Sequence, residues 1–233
     1  MDRLILGLEW YVVFLFSIVL HEAAHAFAAL RLGDPTAYHG GQVTLDPVPH
    51  IRREPFGTAI VPIVSFLLGG WMIGWASAPY DRHWAMRRPR RAAVMALAGP
   101  VSNLLLVIAA AASIRAGIAL GFFLAPERLS FTSLVVARAG GTASWAAVML
   151  SILFTLNLVF LVFNLIPLPP LDGSGVIAFF MSPDTARRYL EFTSAPMLSF
   201  AGLMISWRVF GQVFDPIRLI AVNLLYLGHA HYG

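Results

Sequence analysis

The chain reads as an all-α polytopic membrane protein of about five transmembrane helices plus a re-entrant segment, with room for a short β-hairpin after the first helix. Three observations predict this class. The sequence is 58% hydrophobic and 12% charged, where a soluble domain carries roughly a quarter charged residues. Apolar runs of near-spanning length recur along it, each comparable to a hydrocarbon core of about 30 Å. No segment between those runs is long enough for a soluble domain, and no repeat or low-complexity tract occurs.

The charge balance and the missing residue types exclude several functions. A formal charge of +4 comes from 16 arginines, with no lysine, against 12 acids. In a membrane protein that excess reports loop orientation and contact with the lipid bilayer, not nucleic-acid binding. The chain has no cysteine, which excludes disulfides, thiolate metal sites and a cysteine nucleophile. Any metal must be held by His, Asp or Glu.

Leu4 to Leu20 is apolar except for Glu9 and runs unbroken into His21-Glu22-Ala23-Ala24-His25. The run is too long for a secretory signal peptide, and no small-residue cleavage site precedes the motif. A helix from Leu4 to His21 rises about 26 Å, so the motif lies near the far end of the first span, a few ångströms inside the boundary. Arg31, Gly33, Asp34 and Pro35 end that helix. Thr36 to Glu54 is turn-rich, and Gln42 to Leu45 has the pattern of a short strand. His39 and His50 in this stretch read as loop or interfacial histidines, not ligands. Phe56 to Trp75 is apolar again but carries Pro62 and Gly69-Gly70, and arginines crowd the segment from Asp81 to Arg91.

Ala92 opens a long apolar helix containing Ala98-Gly99-Pro100-Val101-Ser102-Asn103, whose small residues let another backbone approach closely. The next span, Trp145 to Phe163, runs into Asn164-Leu165-Ile166-Pro167-Leu168-Pro169-Pro170-Leu171-Asp172-Gly173. Those prolines cannot continue an α-helix. Unwound backbone at membrane depth is tolerated only where it lines a cavity or is buried in protein. Asp172 is expected on that unwound piece. After a patch with Arg187 and Arg188, Pro196 to Phe214 and Ile217 to Leu227 read as a C-terminal hairpin of spans, with Arg208 snorkelling or paired. His229 and His231 read as a disordered tail. Residues 1–181 are thus expected to form a core, with 182–233 packed on it.

The polar residues buried in this apolar frame carry the chemistry. On a helix, His21 and His25 stand at i and i+4 on one face, a spacing that lets two ring nitrogens reach one Zn²⁺ at about 2.0–2.1 Å. Glu22 lies beside them, where it can take a proton from a metal-bound water. The pattern is short enough to occur by chance in soluble helices, and the bland alternative is a pair of polar residues satisfied by neighbouring helices. Membrane depth weighs against it, since a charge at the bilayer centre costs roughly 2.5–3.5 kcal/mol and usually marks a function.

Three elements in one order, His21-Glu22-x-x-His25, Ala98-Gly99-Pro100-x-x-Asn103 and Asn164-x-x-Pro167-x-Pro169-x-x-Asp172-Gly173, together resemble the site-2 protease family, peptidase family M50. Its members are zinc metalloproteases that cleave peptide bonds within the membrane. The likeness covers roughly Leu4 to Met181. It implies one Zn²⁺ per chain held by His21, His25 and Asp172, with Glu22 as general base. By the same likeness Asn164 contacts substrate backbone or the developing oxyanion, and Asn103 contacts substrate or ties helices together. The compact form expected here lacks the PDZ or regulatory domain of many members, and the partner implied is a transmembrane protein substrate.

The resemblance also constrains topology. The site needs the C-terminal end of the first helix, the unwound piece before Asp172, and the early turns of the Ala-Gly-Pro helix at one depth. Whatever connects the first helix to the Ala-Gly-Pro helix then crosses the bilayer an even number of times. The stretch Phe56 to Pro79 is therefore expected to be re-entrant, turning at Pro62 or Gly69-Gly70. This gathers Arg31, Arg52, Arg53, Arg82, Arg87, Arg88, Arg90, Arg91, Arg187 and Arg188 on one face, cytoplasmic by the positive-inside rule. The expected location is a bacterial or archaeal inner membrane, with the active site toward the cytoplasm and the N-terminus outside. A divalent-metal transporter is the alternative from another class. It accounts for the buried histidines but not for the Asn-x-x-Pro run. A non-catalytic scaffold is weaker still, because all the expected ligands and the base are present.

Overall fold

The computed structural model describes residues 3–228 and 232. His229 and His231 lie outside the described residues. The chain opens with α1 (Arg3–Leu32), a helix whose buried residues include Trp10, Phe14, Ser17, His21, Glu22 and His25. Two short helices follow, α2 (Thr36–His39) and α3 (Pro47–Arg53). A π-turn, Phe56–Ile60, leads directly into α4 (Val61–Gly69). Next come α5 (Arg82–Arg87), α6 (Pro89–Ala119), α7 (Thr142–Asn164), α8 (Asp172–Ile177), α9 (Pro183–Thr193) and α10 (Pro196–Leu225). Among the described residues four helices, α1, α6, α7 and α10, are long and apolar enough to cross a membrane. The architecture is that of an integral membrane protein of the all-α class, with one two-stranded pair in a connection.

Helix α6 stands at the centre, packed on both α1 and α7, with α8 against its early turns. One apolar cluster joins Trp10, Phe14 and Ile18 of α1 to Phe66 of α4 and to Ile152 and Leu156 of α7. A second joins Ile114 of α6 and Phe154 of α7 to Phe214 and Val222 of α10. At the other end Trp84 and Ala85 of α5 pack with Ala29 and Ala92. Asp34 ties the exit of α1 in place, accepting from the Thr36 amide at 3.0 Å and the Asp81 amide at 2.8 Å.

The apolar run 56–79 doubles back. From Gly57 to Gly70 it climbs about 20 Å as helix. Gly70, at φ +77, closes that helix with its amide on the Phe66 carbonyl at 2.8 Å, a left-handed cap that favours glycine. The return is extended and covers about 17 Å in five residues, bringing the Trp75 amide to the Gly57 carbonyl at 3.1 Å. Close packing permits this, since a Cβ at Gly57 would collide with the Trp75 backbone. At the tip, Arg3 Nη2 donates to the Leu67 carbonyl at 2.6 Å.

Three expectations need correction. Gln42 to Leu45 is not a strand: the Gln42 amide bonds back to the Ala37 carbonyl at 2.9 Å, and the Thr44 carbonyl faces His50 Nε2 at 3.2 Å. Local turns take the bonds a ladder would need. The antiparallel pair instead joins β1 (Phe123–Leu124) to β2 (Val136–Ala137), between α6 and α7. The C-terminal hairpin is one continuous helix, α10, with Pro216 inside it. A proline removes a single main-chain donor, whereas a turn in an apolar setting would strand several more groups. Finally, the unwound segment is Leu165–Leu171, and Asp172 is the first residue of α8 beyond it.

Candidate active site

Helical spacing on α1 and the start of α8 bring three side chains together. His21 Nε2 and His25 Nε2 are 3.0 Å apart, and Asp172 Oδ2 lies 3.1 Å from the first and 3.3 Å from the second. Four ligands at about 2.0–2.1 Å around one tetrahedral ion stand about 3.3–3.4 Å from one another. The cluster has that scale, and its ligand atoms all fall within 4.8 Å.

The chemistry of these atoms also fits a cation. His25 Nδ1 faces the Met95 carbonyl at 2.8 Å; a carbonyl only accepts, so Nδ1 carries the proton and Nε2 is a bare acceptor. His21 Nδ1 faces Asn103 Oδ1 at 2.6 Å, which places its proton in the same way. Asp172 Oδ2 is buried without a hydrogen-bond donor. With both imidazoles neutral, three acceptors converge with no proton between them, an arrangement that a metal ion satisfies.

Glycine makes room for the cluster. A Cβ on Gly99 would run into Nε2 of both His21 and His25, so the Ala98-Gly99-Pro100 stretch lays bare backbone of α6 against the two rings. Gly173 likewise abuts the Leu165 and Ile166 carbonyls, folding the proline turn tightly against α8.

The cluster opens into a cavity of about 540 Å³. Glu22 and His25 line one wall, and the Pro169–Asp172 turn lines another. The non-helical segment Ala76–Tyr80 forms a third, with His83, Glu191 and Ser199 also contributing. Glu22 is 6% exposed and faces this space. Asn164, the last residue of α7, is half-buried and not among the lining residues. Asn103 is buried behind His21, away from the cavity. His50 is buried on α3 with Nε2 facing the Thr44 carbonyl, and His39 packs on Tyr38, so neither joins the cluster. Arg208 is exposed on α10. Sequence reasoning missed Ser17 and Asn157, which stand behind the ligands in hydrogen bond with each other at 2.9 Å. An asparagine in mid-span was the available signal.

The sequence profile of peptidase family M50 matches residues 10–208. The chain belongs to that family. This M50 peptidase is 35% identical over 219 residues to "Putative zinc metalloprotease YwhC" of Bacillus subtilis, an alignment covering 88% of this chain and 86% of that one. It is 35% identical over 175 residues to "Putative zinc metalloprotease Rip2" of Mycobacterium tuberculosis, covering 74% of this chain and 57% of the relative. The Rip2 of Mycolicibacterium smegmatis is 30% identical over 173 residues, with the same coverage. The chain therefore spans little more than half the length of the mycobacterial relatives. No solved structure matches. Nothing in these likenesses supports a divalent-metal transporter.

Proposed function

We propose that this M50 peptidase is an intramembrane zinc metalloprotease whose zinc is held by His21, His25 and Asp172, with Glu22 as general base. The observation that carries the reading is the convergence of His21 Nε2, His25 Nε2 and Asp172 Oδ2 to within 3.0–3.3 Å of one another, with both histidines turning Nδ1 to an oxygen acceptor. Three protein ligands leave a fourth position for the reaction. Zinc, when bound, supplies an acidified water near neutral pH and polarises the scissile carbonyl.

The protein's own groups do the rest. Glu22 receives the proton of the attacking water on its carboxylate and returns it to the departing amine. The Ala76–Tyr80 segment, free of helix and lining the cavity, is a candidate to hold an unwound substrate chain beside Glu22. Asn164 remains a candidate donor to substrate backbone, reached from the end of α7. The substrate is a transmembrane protein. The catalytic end of the bundle, where Arg91 Nη1 donates to the Leu32 carbonyl and Arg53 Nε to Ser77 Oγ, is assigned to the cytoplasmic face by its arginines. The N-terminus is then outside, in a bacterial or archaeal inner membrane.

The test separates base from ligands. In detergent-solubilised protein, Glu22→Gln should keep its zinc and lose cleavage of a transmembrane peptide by about 10²–10⁴-fold. His25→Ala and Asp172→Ala should lose both. Undiminished cleavage by Glu22→Gln would sink the mechanism, and metal flux into vesicles without cleavage would favour a transporter.

A further inference from the structure

Behind the cluster, four buried polar residues form one line of hydrogen bonds across three helices. His21 Nδ1 lies 2.6 Å from Asn103 Oδ1. Asn103 Nδ2 donates to Asn157 Oδ1 at 2.8 Å. Asn157 Nδ2 donates in turn to the Leu153 carbonyl at 2.8 Å and to Ser17 Oγ at 2.9 Å. Asn103, Asn157 and Ser17 are each 0% exposed.

The line has only one workable direction. A main-chain carbonyl cannot donate, so the Asn157 group facing Leu153 must be its NH₂. The Asn157 oxygen therefore faces Asn103, which can answer only with its own NH₂. That turns the Asn103 oxygen toward His21 and requires a proton on Nδ1. Nε2 is left bare, pointing at His25 and Asp172. His25 reaches the same tautomer in one step, through the Met95 carbonyl. His21, lacking a carbonyl beside it, borrows one from Leu153 through two amides.

We propose that Asn103 and Asn157 are positioning residues that hold His21 in its metal-binding tautomer, with the Leu153 carbonyl as the fixed reference. This rests on reading His21 as a zinc ligand. Without Asn157, the Asn103 amide is free to turn over and present NH₂ to Nδ1. The proton then moves to Nε2, where it competes with the metal for the same lone pair. Ser17 accepts the other hydrogen of the Asn157 amide and lies off the line.

The experiment uses the whole chain in detergent and two readouts: zinc affinity by competition with a chelator, and the His21 tautomer by ¹⁵N NMR of the zinc-free protein. Asn157→Leu, close in volume, should mix the two tautomers and weaken zinc about 10-fold; Asn103→Leu should weaken it about 10–100-fold. Adding Asn103→Asp to Asn157→Leu supplies an acceptor that cannot turn over. It should restore the Nδ1–H tautomer and most of the lost affinity, a rescue that a packing role for Asn157 would not allow. Ser17→Ala should move neither readout. Asn157→Ala poses the same question without added bulk should Asn157→Leu not fold. An unchanged tautomer and zinc affinity in a folded Asn157 variant, or failure of the aspartate to rescue, would overturn the relay. Wild-type protein whose His21 resonances ignore zinc would overturn the ligand assignment instead.

Discussion

Ser77 Oγ donates to Glu54 Oε1 at 2.6 Å, joining the two ends of the apolar run that separates α3 from α5. The run is thereby closed at its base, and its helical limb of about 20 Å falls short of a hydrocarbon core of about 30 Å. Both ends are then expected on one face of the membrane. The chain has no native cysteine, so single cysteines at Thr36, Ser77 and Ser130 can be labelled without background. Thr36 and Ser77 should react from the cytoplasmic side and Ser130 from outside. Labelling of Thr36 and Ser77 from opposite sides would make the run a true span and refute this topology.

Gly99 should be as intolerant as a ligand although it donates nothing to a metal. An alanine methyl there meets the Nε2 atoms of both His21 and His25. Either α6 moves away from α1, or the rings leave their common centre. Overpacking of this kind costs about 1–3 kcal/mol, so Gly99→Ala should unfold at a lower temperature and bind zinc substoichiometrically. A thermal melt beside a zinc assay decides it. Full zinc occupancy in Gly99→Ala would show that the close approach is dispensable.

The two asparagines named from sequence should separate in kinetics. Asn103 touches His21 and not the cavity, so its removal should act through the metal. Asn164 stands at the end of α7, eight residues before Asp172 in the chain. Asn164→Ala should therefore keep zinc and lower kcat by about 10²-fold if it supplies an oxyanion donor. Wild-type kcat in that variant would remove Asn164 from the reaction.

How far the sequence alone reaches depends on the range of each interaction. His21, Glu22 and His25 are legible because i, i+4 geometry is local, and Asp172 because prolines at 167, 169 and 170 force an unwound approach. The doubling-back of 56–79 is legible only through the resemblance, which requires an even number of crossings before the Ala-Gly-Pro helix; Pro62 and Gly69-Gly70 then mark where the chain can turn. What pairs across helices is not. Asn157 meets Asn103 and Ser17 only once α1, α6 and α7 have settled into register, and no spacing along one helix announces that meeting. Pro216 misleads in the opposite sense. A local rule marks it as a break, yet α10 runs through it because the alternative leaves more of the main chain unpaired.

Substrate cleavage should depend on how readily the substrate helix unwinds. A transmembrane helix hides its carbonyls in its own i to i−4 bonds, while the cavity offers a non-helical wall, Ala76–Tyr80, opposite Glu22. A scissile segment must therefore give up several helical bonds before it can lie along that wall, and in an apolar setting each freed group needs a new partner. Gly, Pro or Asn near the scissile bond lowers this cost, because such residues hold the helix less firmly by up to about 1 kcal/mol for Gly and about 3 kcal/mol for Pro. Replacing them with Leu should slow cleavage about 5-fold for each kcal/mol restored. The same logic applies to the enzyme. Ala78→Pro removes an amide from the wall and should raise KM for every substrate while leaving zinc content unchanged. A panel of transmembrane peptides, graded in helix-breaking residues and assayed with wild type and Ala78→Pro, tests both halves at once. Rates indifferent to the grading would mean that unwinding does not limit cleavage, and an unchanged KM in Ala78→Pro would free the Ala76–Tyr80 segment from any role in holding substrate.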